Sequence, residues 1–328
     1  MKGSHKFWKK NISGAKAIRI TLKQARNIFP RFEAIAFRMR DMRYVFGTIL
    51  SLLLFPVWGK ANSPIAVKAV VIEDVLEDYK KFLNGRNPLD IKDFSGPYSR
   101  RDVIELVLFQ QALVAGGLNT PVILVPMPTY QRSIAELEKG FVDATANPIW
   151  ETDLSETSTW KSISTVDPGQ FVAGIYGKPK KIAELSNLSI SQLKNRSITT
   201  SFAWVSDVQA LKKAGFTNIV DGGNWDRMIR MVKYDRVDFL LSSFRAEKDL
   251  SFQVQDTKYI PLTGYKVILE GRRVWGVSKI SRKSKPVIAA LNKGVPLLKQ
   301  KGIIEKAYRQ SGFFNPQVDR WKIIGAEK

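Results

Sequence analysis

Apolar and polar positions alternate in short blocks along most of this chain, with one exception near the amino terminus. Residues 44–59 (YVFGTILSLLLFPVWG) carry no charge, follow Arg38, Arg40 and Arg43, and precede Lys60. A basic flank, a Leu-rich stretch, and small Gly59 and Ala61 at −3 and −1 are the parts of a secretory signal peptide cleaved near Ala61. The run falls short of the roughly 20 apolar residues that span a bilayer, and an uncleaved anchor is the alternative. The basic leader ahead of Tyr44 is longer than such signals need, and Met39 and Met42 stand just before the apolar run. Residues 1–38 are therefore read as an upstream start site, with a basic cytoplasmic extension as the alternative, and 1–61 as presequence and signal.

Past Ala61 the periodicity predicts a regular succession of elements. The run AVKAVVIED (66–74) reads as a strand. Tyr98 and Ser99 precede a helix with Val103, Leu106, Val107, Ala112 and Leu113 at helical spacing, closed by Gly116 and Gly117. A strand at 121–125, a helix at 129–139 with Ile134 and Leu137 inward, and a strand at 141–146 follow. This β-α-β-α-β order argues an α/β layer fold. The pattern then recurs: a strand in SITT beginning within 192–199, a helix at 205–214, a strand at 218–220, a helix at 225–233 and a strand at 237–241. Segments 134–143 and 229–238 align apolar on apolar and Asp143 on Asp238, 95 residues apart. The architecture expected is two similar α/β lobes joined by hinge strands. Apolar strands at 171–176 (FVAGIY) and 274–277 (VWGV) bracket the second repeat. If both cross between lobes, lobe 1 is 64–172 plus 276–328, including helices over 285–308, and lobe 2 is 173–275.

Charge and composition narrow the chemistry. The chain has 52 Lys and Arg against 30 Asp and Glu, but 13 and 2 of these lie in 1–61, leaving 39 against 28. Half of the net charge of +22 thus belongs to the presequence. The remaining bases are scattered, so no nucleic-acid face is expected. Cysteine is absent and the one histidine is His5, inside the presequence. Disulfides, thiolate chemistry, His general bases and His metal ligands are thereby excluded from the mature chain. Binding without turnover is the expectation, with no catalytic residue, no metal and no cofactor.

The segments 98–113, 126–145 (PMPTYQRSIAELEKGFVDAT), 189–216 and 236–244 (RVDFLLSSF), with the terminal helices, resemble the type 2 periplasmic solute-binding proteins. The similarity is to the family-3 group that includes amino-acid receptors of import systems. That resemblance implies two lobes joined by two or three hinge segments, a solute held between them, and hinge closure. It implies a periplasmic, monomeric protein that passes a small polar solute, amino-acid-like or cationic, to an inner-membrane ABC permease or a sensor. A dehydratase-like enzyme using Glu151 and Asp207, or a membrane-tethered sensory domain, are the alternatives.

Ligands of open α/β sheets sit beyond the carboxyl ends of the strands, beside helix amino termini. On that ground Tyr98, Tyr130, Arg132, Asn147, Trp150, Ser201, Trp204, Asp207 and Arg245 are the candidate ligand-binding residues. The aromatic rings would stack on an apolar or cationic group, and Arg245 would reach an anionic one through its bidentate fork. Asp143 and Asp238 are expected to be structural. One departure stands out: 147–154 contains no Arg, where amino-acid receptors of the family usually place one for the ligand α-carboxylate.

Overall fold

The computed structural model describes residues 66–325, so the signal segment lies outside the described residues. In chain order the first strands and helices are β1 (Val67–Ile72), α1 (Glu73–Leu83), α2 (Arg101–Ala115), β2 (Val122–Met127), α3 (Tyr130–Glu138), β3 (Ala144–Thr145), β4 (Ile149–Trp150) and β5 (Thr159–Lys161). They are followed by β6 (Phe171–Gly177), α4 (Pro179–Leu185), α5 (Ile190–Lys194), β7 (Ser197–Thr200), α6 (Val205–Lys213), β8 (Asn218–Asp221), α7 (Trp225–Lys233) and β9 (Phe239–Ser243). The rest are β10 (Phe252–Val254), β11 (Thr257–Pro261), β12 (Tyr265–Leu269), β13 (Arg273–Val274), β14 (Gly276–Ser278), α8 (Ser284–Gln300), α9 (Ile303–Gln310) and β15 (Lys322–Ile323).

Two sheets carry these elements. The first runs β2-β1-β3-β14-β5, with β1 parallel to β2 and β3, and β14 antiparallel to β3 and β5. The second runs β10-β11-β6-β9-β7-β8. In it β7 is parallel to β8 and β9, and β12 joins the amino end of β6. The repeat 95 residues apart in sequence is physically present. Thr129 caps α3 through the Arg132 N–H at 3.2 Å, and Asn224 caps α7 through the Arg227 N–H at 2.9 Å. Asp143 accepts the Lys68 N–H at 2.7 Å, and Asp238 accepts the Ser197 N–H at 3.2 Å. Each carboxylate thus anchors the start of the neighbouring parallel strand, a structural use.

Three expectations need correction. The strand expected over 66–74 ends at Ile72, and α1 begins with no intervening turn. Glu73 and Asp74 favour the helix amino terminus through its dipole, and Val75, Tyr79 and Phe82 bury one face at helical spacing. Strand β6 lies inside the second sheet rather than crossing to it. The connections run just before β6 and just after β12, where Thr165 donates its N–H to the Arg273 carbonyl at 2.9 Å and Arg273 donates to Val166 at 3.0 Å. Finally β15, placed by sequence with the first lobe, pairs with β12 of the second sheet. The chain therefore passes between the sheets a third time, over 311–321.

Helix α2 forms the centre of the first half, with Val103, Ile104, Leu106, Val107, Leu108, Phe109 and Ala112 fully buried. It meets α8 at close range because both helices present glycine. A Cβ on Gly294 would stand 1.9 Å from the Ala112 carbonyl oxygen, and one on Gly116 would stand 1.9 Å from that of Ala290. A Gly→Ala change in an exposed helix gains about 1 kcal/mol, whereas forcing a methyl into a packed contact costs about 1–3 kcal/mol. The clash is with backbone, which cannot swing aside, so the second effect wins. Gly294→Ala is expected to lower the urea midpoint with an unchanged slope; a raised midpoint would contradict this packing.

Candidate functional site

The carboxyl ends of β1, β2, β3 and β9 and the amino ends of α2, α3, α6 and α7 face a common cleft of about 440 Å³. That volume suits a small molecule. Residues of both sheets line it, and so do Phe171 and Arg273 beside the crossings.

The cleft floor is charged. Arg100, just ahead of α2, donates to Asp78 at 3.1 Å, to Asp74 at 3.1 Å and to Asp102 at 2.6 Å. Burial by itself lowers the Arg100 pKa, yet Asp102, Asp74 and Asp78 outweigh it and the net direction is upward. Arg101 binds both oxygens of the fully buried Glu105, at 2.9 and 3.0 Å. Glu105 also accepts from Asn147 at 3.0 Å and from the Tyr308 hydroxyl at 3.4 Å. Asn147 spends its second bond on the Asp102 carbonyl at 2.7 Å. This network pairs each charge that α2 brings out of water with an opposite one, leaving Arg101 Nε and Asp102 Oδ1 buried without a hydrogen-bond partner.

Two further guanidiniums have no such carboxylate. Arg273 is 7% exposed, donates to the Pro148 carbonyl and lies over Trp150 at 5.1 Å and Phe171 at 5.6 Å. Arg245 stands over Phe252 at 5.0 Å. The Nε atoms of both are buried without a hydrogen-bond partner. Burial lowers both pKa values, with Arg100 adding to the effect on Arg245 and Arg101 to that on Arg273.

Of the residues singled out from sequence, Tyr130, Asn147, Trp150, Trp204, Asp207 and Arg245 line the cleft, and Tyr98, Arg132 and Ser201 do not. Tyr98 is half exposed and lies under the Lys81 ammonium at 5.2 Å. Arg132 points outward to Glu136 at 2.8 Å, one helical turn away. Ser201 is buried and donates to the Gly223 carbonyl at 2.7 Å, which holds the loop ahead of α7. Tyr130 turns its hydroxyl to Asp153 at 2.6 Å. Trp150 packs on Phe171 at 5.3 Å and its face is taken by Arg273, so a cationic ligand would compete with a protein cation there. Glu151 pairs with Arg272 at 3.6 Å, away from the cleft lining.

Sequence reasoning missed Arg100, Arg101, Asp102 and Arg273. The first three are an Arg-Arg-Asp cluster ahead of an apolar helix, a visible signal that Tyr98 overshadowed. Arg273 sits beside a short apolar strand, and nothing local marks it as buried.

Asp207, near the start of α6, accepts from the Thr200 hydroxyl at 3.3 Å. Burial pushes its pKa up to about 6, against the opposing pull of Thr200, Arg273 and Arg101. A carboxyl raised in the folded state stabilises the fold while protonated, and that contribution disappears as pH rises through the folded value. Asp207→Asn, which stays neutral, is therefore expected to gain stability relative to the parent between about pH 4 and about pH 7. Urea unfolding at both pH values measures it, and an unchanged difference would contradict the raised carboxyl pKa.

No family model matches the sequence, and no curated protein matches it. Solved structures do. The periplasmic VFT2 domain of BvgS from Bordetella pertussis matches with a TM-score of 0.50 at 14% identity, covering 75% of this chain and 93% of its own. The amino acid ABC transporter substrate-binding protein AbpA from Streptococcus pneumoniae, bound to L-arginine, matches at 0.46 and 16% identity, over 63% and 84%. An ancestral arginine-binding protein bound to arginine matches at 0.47 and 14% identity, over 75% and 97%. The fold is the two-lobed α/β fold of the type 2 periplasmic binding proteins.

Proposed function

We propose that this chain is a solute-binding protein that captures a small polar solute between its lobes and delivers it without altering it. The observation that carries the reading is the charged cleft of about 440 Å³ shared by the two sheets. Two paired crossing segments run beside it, through Thr165–Arg273 and Arg273–Val166 backbone bonds, and a third follows α9. Few, short connections are what lobe closure needs. With the connections just before β6, just after β12 and over 311–321, the lobes are taken as 66–170 plus 273–310, and 171–269 plus the β15 strand. In this reading the 1–61 segment directs export to the periplasm, and the protein acts there as a monomer with an inner-membrane ABC permease or a sensor as recipient and without a cofactor or metal. Glu151, engaged by Arg272, and Asp207, bound to Thr200, form no acid–base pair aimed at one point, which favours binding over dehydratase chemistry. The uncharged 44–59 run supports a second reading, a sensory domain tethered by an uncleaved signal. Release of the protein by osmotic shock would rule that reading out.

Small-angle scattering across a panel of amino acids, polyamines and organic acids tests closure. A ligand present at 100 times its Kd is expected to shrink the radius of gyration and add about 2.7 kcal/mol of stability. Unchanged scattering and stability across the whole panel would contradict the proposal.

A further inference from the structure

The cleft holds four arginines, and their partners divide them into two pairs. Arg100 is surrounded by Asp74, Asp78 and Asp102, and Arg101 is bound bidentately by Glu105. Arg245 and Arg273 meet no carboxylate within ion-pair distance among the described residues; each leaves a buried Nε without a partner, as Arg101 also does, so what sets them apart is the missing carboxylate. The remaining acids do not cancel them. Asp207 is committed to Thr200 and half neutral near pH 6, and Glu73 and Asp226 are exposed at the rim, where solvent screens them. An unpaired charge out of water is costly, and a guanidinium fork is shaped to take a carboxylate. Two of the cleft rings that would receive a cation, Trp150 and Phe171, are already covered by Arg273.

The two guanidiniums without a carboxylate partner come from different parts of the fold. Arg245 follows β9 of the second sheet, with the Arg100–Asp102 pair in its electrostatic surroundings. Arg273 belongs to the crossing segment, with Arg101 and Glu105 in its own. A ligand answering both needs an anionic group at each end.

Resting on the solute-binding reading, we propose that the cleft takes a small dianionic solute of the dicarboxylate class, with one carboxylate on Arg245 and the other on Arg273. A ligand of this kind ties the second lobe to the crossing segment and so couples binding to closure.

Titration calorimetry of the full, dialysed protein tests this with succinate, glutarate and L-glutamate against acetate, putrescine and L-arginine. The expected result is that at least one dianion binds ten or more times more tightly than acetate, putrescine and L-arginine. Arg245→Gln and Arg273→Gln are each expected to weaken it on the order of thirtyfold, as loss of a buried charge partner does. The ranking of ligands by the parent protein stands as the criterion even where a variant fails to fold. Preference for putrescine or L-arginine, or a dianion affinity unmoved in both variants, would overturn the dicarboxylate assignment and leave the solute-binding reading in place. Silence toward every compound would remove both.

Discussion

Helix α2 is buried along nearly its whole length, yet its amino end carries Arg100, Arg101, Asp102 and Glu105. Taking those charges out of water costs several kcal/mol per ion unless each is paired and hydrogen-bonded. The structure meets that demand locally. Asp74 and Asp78 come from α1, Asn147 from the loop after β3, and Tyr308 from α9, so elements far apart in sequence must converge on one helix end. Removing one partner of such a network typically costs about 3–5 kcal/mol because the remaining charge stays buried. The cleft floor is therefore a stability feature first. Its value as a polar surface for a solute follows from it.

The second constraint is how few strands of chain connect the halves. The segments flanking β5–β6 and β12–β14 hold each other through backbone bonds, and Trp275 adds its indole N–H to the Ala146 carbonyl at 2.9 Å. Arg273 is placed by this pairing, with its guanidinium over Trp150 and Phe171. A side chain at a crossing senses both lobes at once. Neither it nor Arg245 forms an ion pair among the described residues, whereas Arg100 and Arg101 each have a carboxylate partner.

Much of the fold was legible in the sequence, and the reasons are physical. The helix over 225–233 is one-sided, with Met228, Ile229 and Val232 buried, and it begins and ends where the pattern puts it. The 95-residue repeat was readable from Asp143 and Asp238 because each serves the same local purpose, anchoring the start of a parallel strand. Helix α1 was not separated from β1, because an apolar strand ending in two acids gives no breaker and the period change from 2 to 3.6 takes a full turn to show. Tyr98 and Arg132 lay at the correct end of the strands but on the solvent side of their turns, a distinction that strand-end logic does not make. Arg273 was invisible for the opposite reason: a single arginine beside an apolar pair reads as an edge residue until tertiary contacts bury it.

The central claim is that a cleft with two uncompensated guanidiniums holds an anionic solute. Native mass spectrometry of protein isolated from the cells that make it addresses this without choosing a ligand in advance. The account predicts a retained small molecule that carries two acidic groups and is released when the protein is denatured. A retained polyamine or other cation in that position would contradict it.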